Sequence, residues 1–408
     1  MIELKVKQKL VEILKDGYVC DHCLGRQFAQ LLSGFGNEER GRILRHFAAM
    51  LIDSEEKIDV DNSNFFGIKF HNKKIKSKKP KKCYVCSNLF KELKKKTKLI
   101  IKELKGYEYK TFLIGCKLTS KLIEREQELW NKVGIEWCES IKTAINRELG
   151  KEVERITGKE MNRKMPDITV KFDLNTDKVE LNVRSIYIYG KYQKLTRNMP
   201  QTKWKRKIFK TSVQGIIEKP LLKQTRSKNS SFHGSGREDI NVRCLGWRPF
   251  VIELIRPVKR KVDLKKKLKQ INKSKKVRVK SLKIVDKNIV RKIKFADYDK
   301  TYKAVVSFED PVIDLKNVSK VKNAIISQRT PTRVLRRRSD KIRRRRVKEI
   351  KYKLLGKKKA EFRIRTQSGL YVKELITGDG GRTEPSISSL LNNKVKKIEL
   401  DVIKIHSD

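Results

Sequence analysis

Apolar residues recur at helical spacing from the start of the chain. Ile2, Val6, Leu10 and Ile13 share a face and the run stops at Gly17, which predicts a first helix. Helical patterning returns up to about Ile52 and again over Leu89–Leu104. Thr111–Cys116 reads as a strand, followed by helices through Leu122 and Trp130 and through Ile141 and Leu149. Two β-branched or aromatic runs, Pro166–Phe172 and Val179–Tyr189, predict strands. Near residue 200 the pattern is interrupted by Pro200, polar residues and a basic run, and a domain boundary is expected there. Beyond it the pattern is mostly that of strands, at Val242, Phe250–Ile255, Lys276–Ile284 and Lys303–Phe308. Lys259–Lys283 is basic enough to be expected as an exposed insertion or hairpin. Gly369–Leu375 reads as a strand whose alternation places Tyr371 and Lys373 on one face.

Charge narrows the class of partner. The chain has 408 residues, with 101 Lys and Arg against 47 Asp and Glu, for a net charge of +54. Seven lysines lie between Lys73 and Lys82, and ten Lys or Arg between Arg329 and Arg346. Such an excess suits a polyphosphate, because each cation placed on a phosphate releases counterions. The hydrophobic share of 38% is enough for packed cores, and the length allows two or three domains. The longest apolar run, around Phe47–Ile52, is far shorter than a membrane helix needs. With no signal-peptide pattern at the start, a cytoplasmic protein without a membrane is expected.

Seven cysteines, an odd number, argue against a disulfide framework. Four of them form two Cys-x-x-Cys pairs, Cys20/Cys23 and Cys83/Cys86. Each pair can present two sulfurs to one metal, and two pairs complete the tetrahedral set that zinc prefers. Four closed ligands leave no open position for a reacting water, so a zinc here is expected to be structural. His22 lies inside the first pair and is expected only to flank it.

Motifs for common cofactors are missing. There is no Gly-x-Gly-x-x-Gly, no Walker A loop, no Gly-x-Ser-x-Gly and no His-Glu-x-x-His, and the five histidines are scattered. Chemistry on RNA would then rest on a carboxylate and need no organic cofactor. Asp239, in Gly236-Arg237-Glu238-Asp239-Ile240-Asn241-Val242-Arg243, is the candidate; the plainer alternative is a turn aspartate paired with Arg237 or Arg243. Tyr302 sits among basic residues at a strand start, and Tyr371 and Lys373 complete the set. Each tyrosine taken alone is as well explained by packing.

These residues, with Cys20-Asp21-His22-Cys23-Leu24-Gly25-Arg26, Tyr187-Ile188-Tyr189-Gly190-Lys191-Tyr192, Gln328-Arg329-Thr330-Pro331 and Gly378-Asp379-Gly380-Gly381-Arg382, carry a resemblance over nearly the whole chain. The sequence resembles the archaeal tRNA pseudouridine synthases with an N-terminal zinc and THUMP region, the family that isomerises uridines 54 and 55 in the T loop. The resemblance implies an α+β architecture. A zinc-binding and THUMP accessory domain would span residues 1–200, with THUMP at roughly 60–190. A catalytic domain with a mixed, mostly antiparallel sheet would span 201–408. It implies that Asp239 is the catalytic aspartate, with Lys373 its charge partner and Tyr302 and Tyr371 contacting substrate. Structural zinc on Cys20, Cys23, Cys83 and Cys86 and tRNA as partner follow, and no protein partner is implied. Two departures are visible: Trp247 stands alone before Arg248-Pro249-Phe250, and Arg336 occupies a position where relatives often have histidine. The competing classes are a non-catalytic tRNA-binding or RNA-chaperone protein, and another THUMP enzyme. The latter should display a glycine-rich cofactor loop or an ATP-pyrophosphatase loop, and neither is found.

Overall fold

Helix α4 (Leu89–Leu104) shows how the apolar spacing becomes structure. Its buried residues Phe90, Leu93, Thr97, Ile100 and Leu104 are three and four apart, one stripe of an α-helix. Burying each large apolar side chain contributes about 1.5–3 kcal/mol, while Lys91, Lys94, Lys95, Lys98 and Lys102 stay in water. The computed structural model describes residues 2–204 and 208–407. The basic run at 205–207, expected to help mark the boundary, lies outside the described residues. The chain divides into two compact units, 1–184 and 185–408.

In the first unit, α1 (Ile2–Lys15), α2 (Asp21–Gly25) and α3 (Asn37–Asp53) precede α4. Then follow β1 (Thr111–Lys117), α5 (Ser120–Val133), α6 (Ile141–Thr157), β2 (Glu160–Met161), β3 (Ile168–Asp173) and β4 (Lys178–Val183). The sheet runs β2-β1-β3-β4, with β1 parallel to both neighbours and β3 antiparallel to β4. Helix starts are capped where the sequence offers a hydroxyl: Thr119 accepts from the Leu122 amide and Ser140 from that of Thr143. Helices α2 and α3 touch backbone to backbone. A Cβ on Gly25 would lie 1.9 Å from the Asn37 carbonyl oxygen, and one on Gly41 would lie 1.9 Å from that of Asp21.

The second unit contains β5 (Ile186–Lys194), α7 (Val213–Thr225), β6 (Asn229–Gly234) and β7 (Arg243–Ile255). Next are α8 (Leu264–Asn272), β8 (Val277–Val285), α9 (Asn288–Phe295), β9 (Lys300–Phe308), β10 (Ile325–Arg329) and β11 (Ile342–Gly356). The last elements are β12 (Lys359–Thr366), α10 (Val372–Thr377), β13 (Thr383–Glu384), α11 (Ile387–Leu391) and β14 (Val395–Ile405). Among the described residues these strands form one sheet in the order β13-β10-β11-β12-β9-β14-β7-β5-β8, with β6 also on β7. All its pairings are antiparallel except β14 with β7. β10 pairs only with Ile342–Arg346 of β11, so the outer edge of the rest of that strand has no strand partner among the described residues. The architecture is α+β with a mixed, mostly antiparallel sheet, as expected.

Three local readings are corrected. Val179–Tyr189 is two strands, β4 and β5, which belong to different sheets, and the units divide at 184/185 rather than near 200. Its buried positions change parity, from Leu181 and Val183 to Ile186 and Ile188. A continuous strand cannot bury both sets on one face. Lys259–Lys283 contains helix α8 and most of strand β8, because Val277 and Val279 are buried on pairing with β5. Residues 369–375 turn into helix α10: Val372, Leu375 and Ile376 are buried at helical spacing and left-handed Gly378 ends it.

Candidate active site and metal centre

The second unit's sheet lines up a row of inward side chains, with the Tyr192–Arg248 pair beside it across a register shift in β5. Tyr192 pairs with Arg248, Lys194 with Cys244, Cys244 with Val402, and Val402 with Tyr302. Partners opposite one another point to the same face. Over this row lies the loop 235–241, which leaves β6 at Gly234 and carries Asp239.

The Asp239 carboxylate is held by two cations. Lys373 Nζ lies 2.9 Å from its Oδ2 and Arg333 NH1 lies 3.1 Å from its Oδ1. Lys373 sits in the first turn of α10, where Tyr371 is the N-cap, so the two do not share a strand face. The Lys373 ammonium also donates to Asn241 Oδ1 at 3.0 Å. Arg333 is braced from behind by Glu374, whose Oε1 lies 2.6 Å from Arg333 Nε. Burial pushes the Asp239 carboxyl up, but the Lys373 hydrogen bond and the charges of Arg333 and Lys373 outweigh it and hold the group below the usual carboxylate range. Its side chain remains 36% exposed, so a ligand can reach it. The alternative of a turn aspartate paired with Arg243 does not hold, since Arg243 binds Asp401 at 3.0 and 2.6 Å.

Tyr302 lies on β9, half-buried against the second unit's core. Burial pushes its phenol up to about 12, partly opposed by Arg248 and reinforced by Cys244 and Asp239, so it is a neutral ring at ordinary pH. Tyr371 is pinned through its main chain by Gln328, which accepts from its amide at 2.8 Å and donates to its carbonyl at 2.9 Å. Its hydroxyl accepts from Arg338 NH1 at 2.8 Å. The structure thus brings Lys373 onto Asp239 and sets Tyr302 in the electrostatic neighbourhood of that carboxylate. Sequence reasoning missed Arg333, Asn241 and Glu374. It also missed a buried group beneath the loop, formed by Lys194, Glu238 and Arg248. The signal for the last was available: Lys194 and Arg248 occupy inward positions of otherwise apolar strands.

In the first unit Cys20, Cys23, Cys83 and Cys86 converge. Their sulfurs all lie within 4.8 Å of one another and all four residues are buried. Cys20 and Cys86 Sγ are 3.6 Å apart. A tetrahedral centre with bonds of ~2.3 Å places its sulfurs ~3.8 Å apart, so the cluster could hold a metal ion. His22 stands aside from this set, its ring stacked on Phe90 at 4.6 Å. No helix of the described residues is long and apolar enough to cross a membrane.

Comparison with known proteins places these features in a family. Residues 187–406 match the family described as Pus10, C-terminal, and residues 97–173 match the Pus10 THUMP domain, archaeal. The tRNA pseudouridine synthase Pus10 of Thermofilum pendens is 39% identical over 97% of this chain and 95% of its own length. Its namesake from Pyrococcus furiosus is 38% identical over 99% of this chain and 98% of its own. Among solved structures, a Cbf5-Nop10-Gar1 complex is similar over 52% of this chain and 47% of its own, at 14% identity and a TM-score of 0.30, too loose a likeness to argue from. With both units matched and relatives of this identity covering nearly its full length, the chain belongs to the Pus10 family.

Proposed function

We propose that this protein isomerises uridine to pseudouridine in tRNA, at positions 54 and 55 of the T loop, with Asp239 as the catalytic aspartate. The observation that carries the reading is the ionised, half-exposed Asp239 carboxylate between Lys373 and Arg333. The reaction breaks the N1–C1′ bond, turns the uracil and joins C5 to C1′. The proton lost from C5 is balanced by one gained at N1, so no atom is added or removed. What the site must supply is an anion beside the reacting sugar and base, and cations to keep it ionised and aimed. Lys373 and Arg333 do the second task. Tyr302 faces the extruded base by stacking, and Tyr371 contacts it with Arg338 alongside.

The four cysteines bind a structural zinc, and the first unit docks tRNA, with its THUMP region on the acceptor end. The protein works in the cytoplasm with tRNA as its partner. Incubation with an unmodified tRNA transcript, followed by mapping of pseudouridine, tests the reading. Wild type should modify both T-loop positions, and Asp239→Ala should lose activity by several orders of magnitude while still binding tRNA. A transcript left unmodified by wild type, or modified at full rate by Asp239→Ala, overturns it.

A further inference from the structure

Four carbonyls of the loop that presents Asp239, those of Ser235, Gly236, Asp239 and Ile240, accept from buried side chains. Lys194, with a side chain 0% exposed, donates to the carbonyls of Met199, Asp239 and Ile240 at 3.0, 3.0 and 3.2 Å. Arg248 NH1 donates to the Ser235 carbonyl at 2.8 Å, and Gln201 Nε2 to that of Gly236 at 3.1 Å. Glu238, next to Asp239 in sequence, turns inward, and its carboxylate is 0% exposed. It accepts from Tyr192 OH at 3.1 and 3.0 Å, and is ion-paired with Arg248, whose Nε lies 3.0 Å away, and with Lys194 Nζ at 3.9 Å.

Three acceptors around Lys194 Nζ require three N–H donors, which only the ammonium form has. A buried ammonium and a buried guanidinium share one carboxylate, so the layer under Asp239 carries one net positive charge. Burying it is costly, and a better-packed apolar core would be more stable. A fold that keeps such a layer directly under one exposed carboxylate is using it for position and for charge.

We propose that Lys194 and Glu238 form a buried clamp that positions Asp239 and holds it ionised from beneath, with Lys194 as the positioning residue. The clamp rests on the reading of Asp239 as the catalytic group. Lys194 fixes the main chain at Asp239 itself, since it binds that residue's own carbonyl. Glu238 keeps Lys194 and Arg248 charged while cancelling only one of their two charges. Desolvation lowers the affinity of Lys194 for its proton and Glu238 opposes that effect.

Other groups face Asp239 and stay unchanged in the test. Lys373 lies on α10, and Arg333, backed by Glu374, lies after β10. Tyr302 of β9 lies alongside, with Cys244 and Arg248 of β7 next to it. Tyr192 of β5 is bonded to Glu238, and Lys300 lies near Arg248.

The test is the pH dependence of single-turnover pseudouridine formation by the full-length protein on saturating tRNA transcript, with melts and tRNA affinity measured beside it. Lys194→Met should slow the reaction roughly ten- to a hundredfold, as small displacements of a reacting group do, with tRNA affinity unchanged. It should also raise the pH at which activity falls on the acid side. Lys194→Gln keeps two N–H donors but no charge, so it should recover part of the rate and still show the raised midpoint; it serves if the Met variant does not fold. Adding Glu238→Gln to either variant restores the layer's single net positive charge, now on Arg248, and should return the midpoint toward wild type, although the rate stays low. A purely structural role makes the double variant worse and moves no midpoint. An unmoved acid limb in Lys194→Gln, or a double variant whose midpoint stays raised, overturns the clamp. Full activity in Asp239→Asn would instead overturn the catalytic reading itself, whatever the Lys194 variants do.

Discussion

At the scale of single residues the site is an argument about one carboxylate. Asp239 has two cations in contact and its affinity for a proton is depressed. The sign follows: a carboxyl depressed on folding stabilises the protein above its unfolded value, near 3.9, and that stability is lost as pH falls through the lower folded value. Activity should therefore stay level from neutral pH down through the usual carboxylate range. Lys373→Met leaves Arg333 as the only contacting cation among the described residues. It should slow single-turnover isomerisation about a hundredfold and shift the acid limb upward. Lys373→Arg, which keeps the charge with a different shape, should lose less. Equal loss in both, or parallel loss of rate and melting temperature, would assign Lys373 to packing. The pairing of Lys373 with Asp239 was legible because both motifs could be recognised in the sequence. Arg333 was not, since it is one of ten cations in a short stretch and nothing in the sequence sets it 94 residues back onto Asp239.

At the scale of elements the pattern was read well wherever one period ran unbroken. Helix α4 begins and ends where its apolar stripe does, and β1 nearly so. It failed where two elements join without a turn signal. β4 and β5 are separated by Arg184 and Ser185 alone, with no glycine or proline, and only the change of buried parity marks the break. Tyr371 to Leu375 alternates like a strand over too few residues to reveal that Val372, Leu375 and Ile376 form a helical face. The contact of α2 with α3 gives an element-scale prediction. Alanine inside a helix normally gains up to about 1 kcal/mol over glycine. In Gly41→Ala the new methyl would lie 1.9 Å from a main-chain oxygen, which cannot swing aside as a side chain can. Overpacking of this kind costs about 1–3 kcal/mol, so Gly41→Ala should lower the melting temperature of the full chain by several degrees. A melt equal to or above wild type would show that the two helices can part cheaply.

At the scale of the whole molecule, the four cysteines bring the start of α2 against the segment before α4, across some sixty residues of sequence. A metal held there would replace core that the lysine-rich stretch between them cannot supply. Purified protein should contain about one zinc per chain, and Cys83→Ser should release it and lower the melting temperature. Elemental analysis beside a thermal melt decides the matter, and metal-free protein with an unchanged melt would remove zinc from the fold. The convergence of the two Cys-x-x-Cys pairs was legible because metal geometry constrains sequence locally. The course of the chain between them was not.

The same charge that suits RNA has a second effect on β11. Beyond Val347, whose amide still donates to the Ala324 carbonyl, this strand has no outer strand partner among the described residues and exposes Tyr352, Leu354 and Leu355, the kind of strand on which another chain could pair and begin an aggregate. Lys351 and Lys353 lie along that stretch and Lys357 to Lys359 follow it, while Lys348 is paired with Asp299. A second copy approaching in register would bring those cations against their own images. The lysines of β11 thus act as gatekeepers, and this protection weakens as salt screens it: the protein should be least soluble under the high-salt conditions that also strip it from RNA.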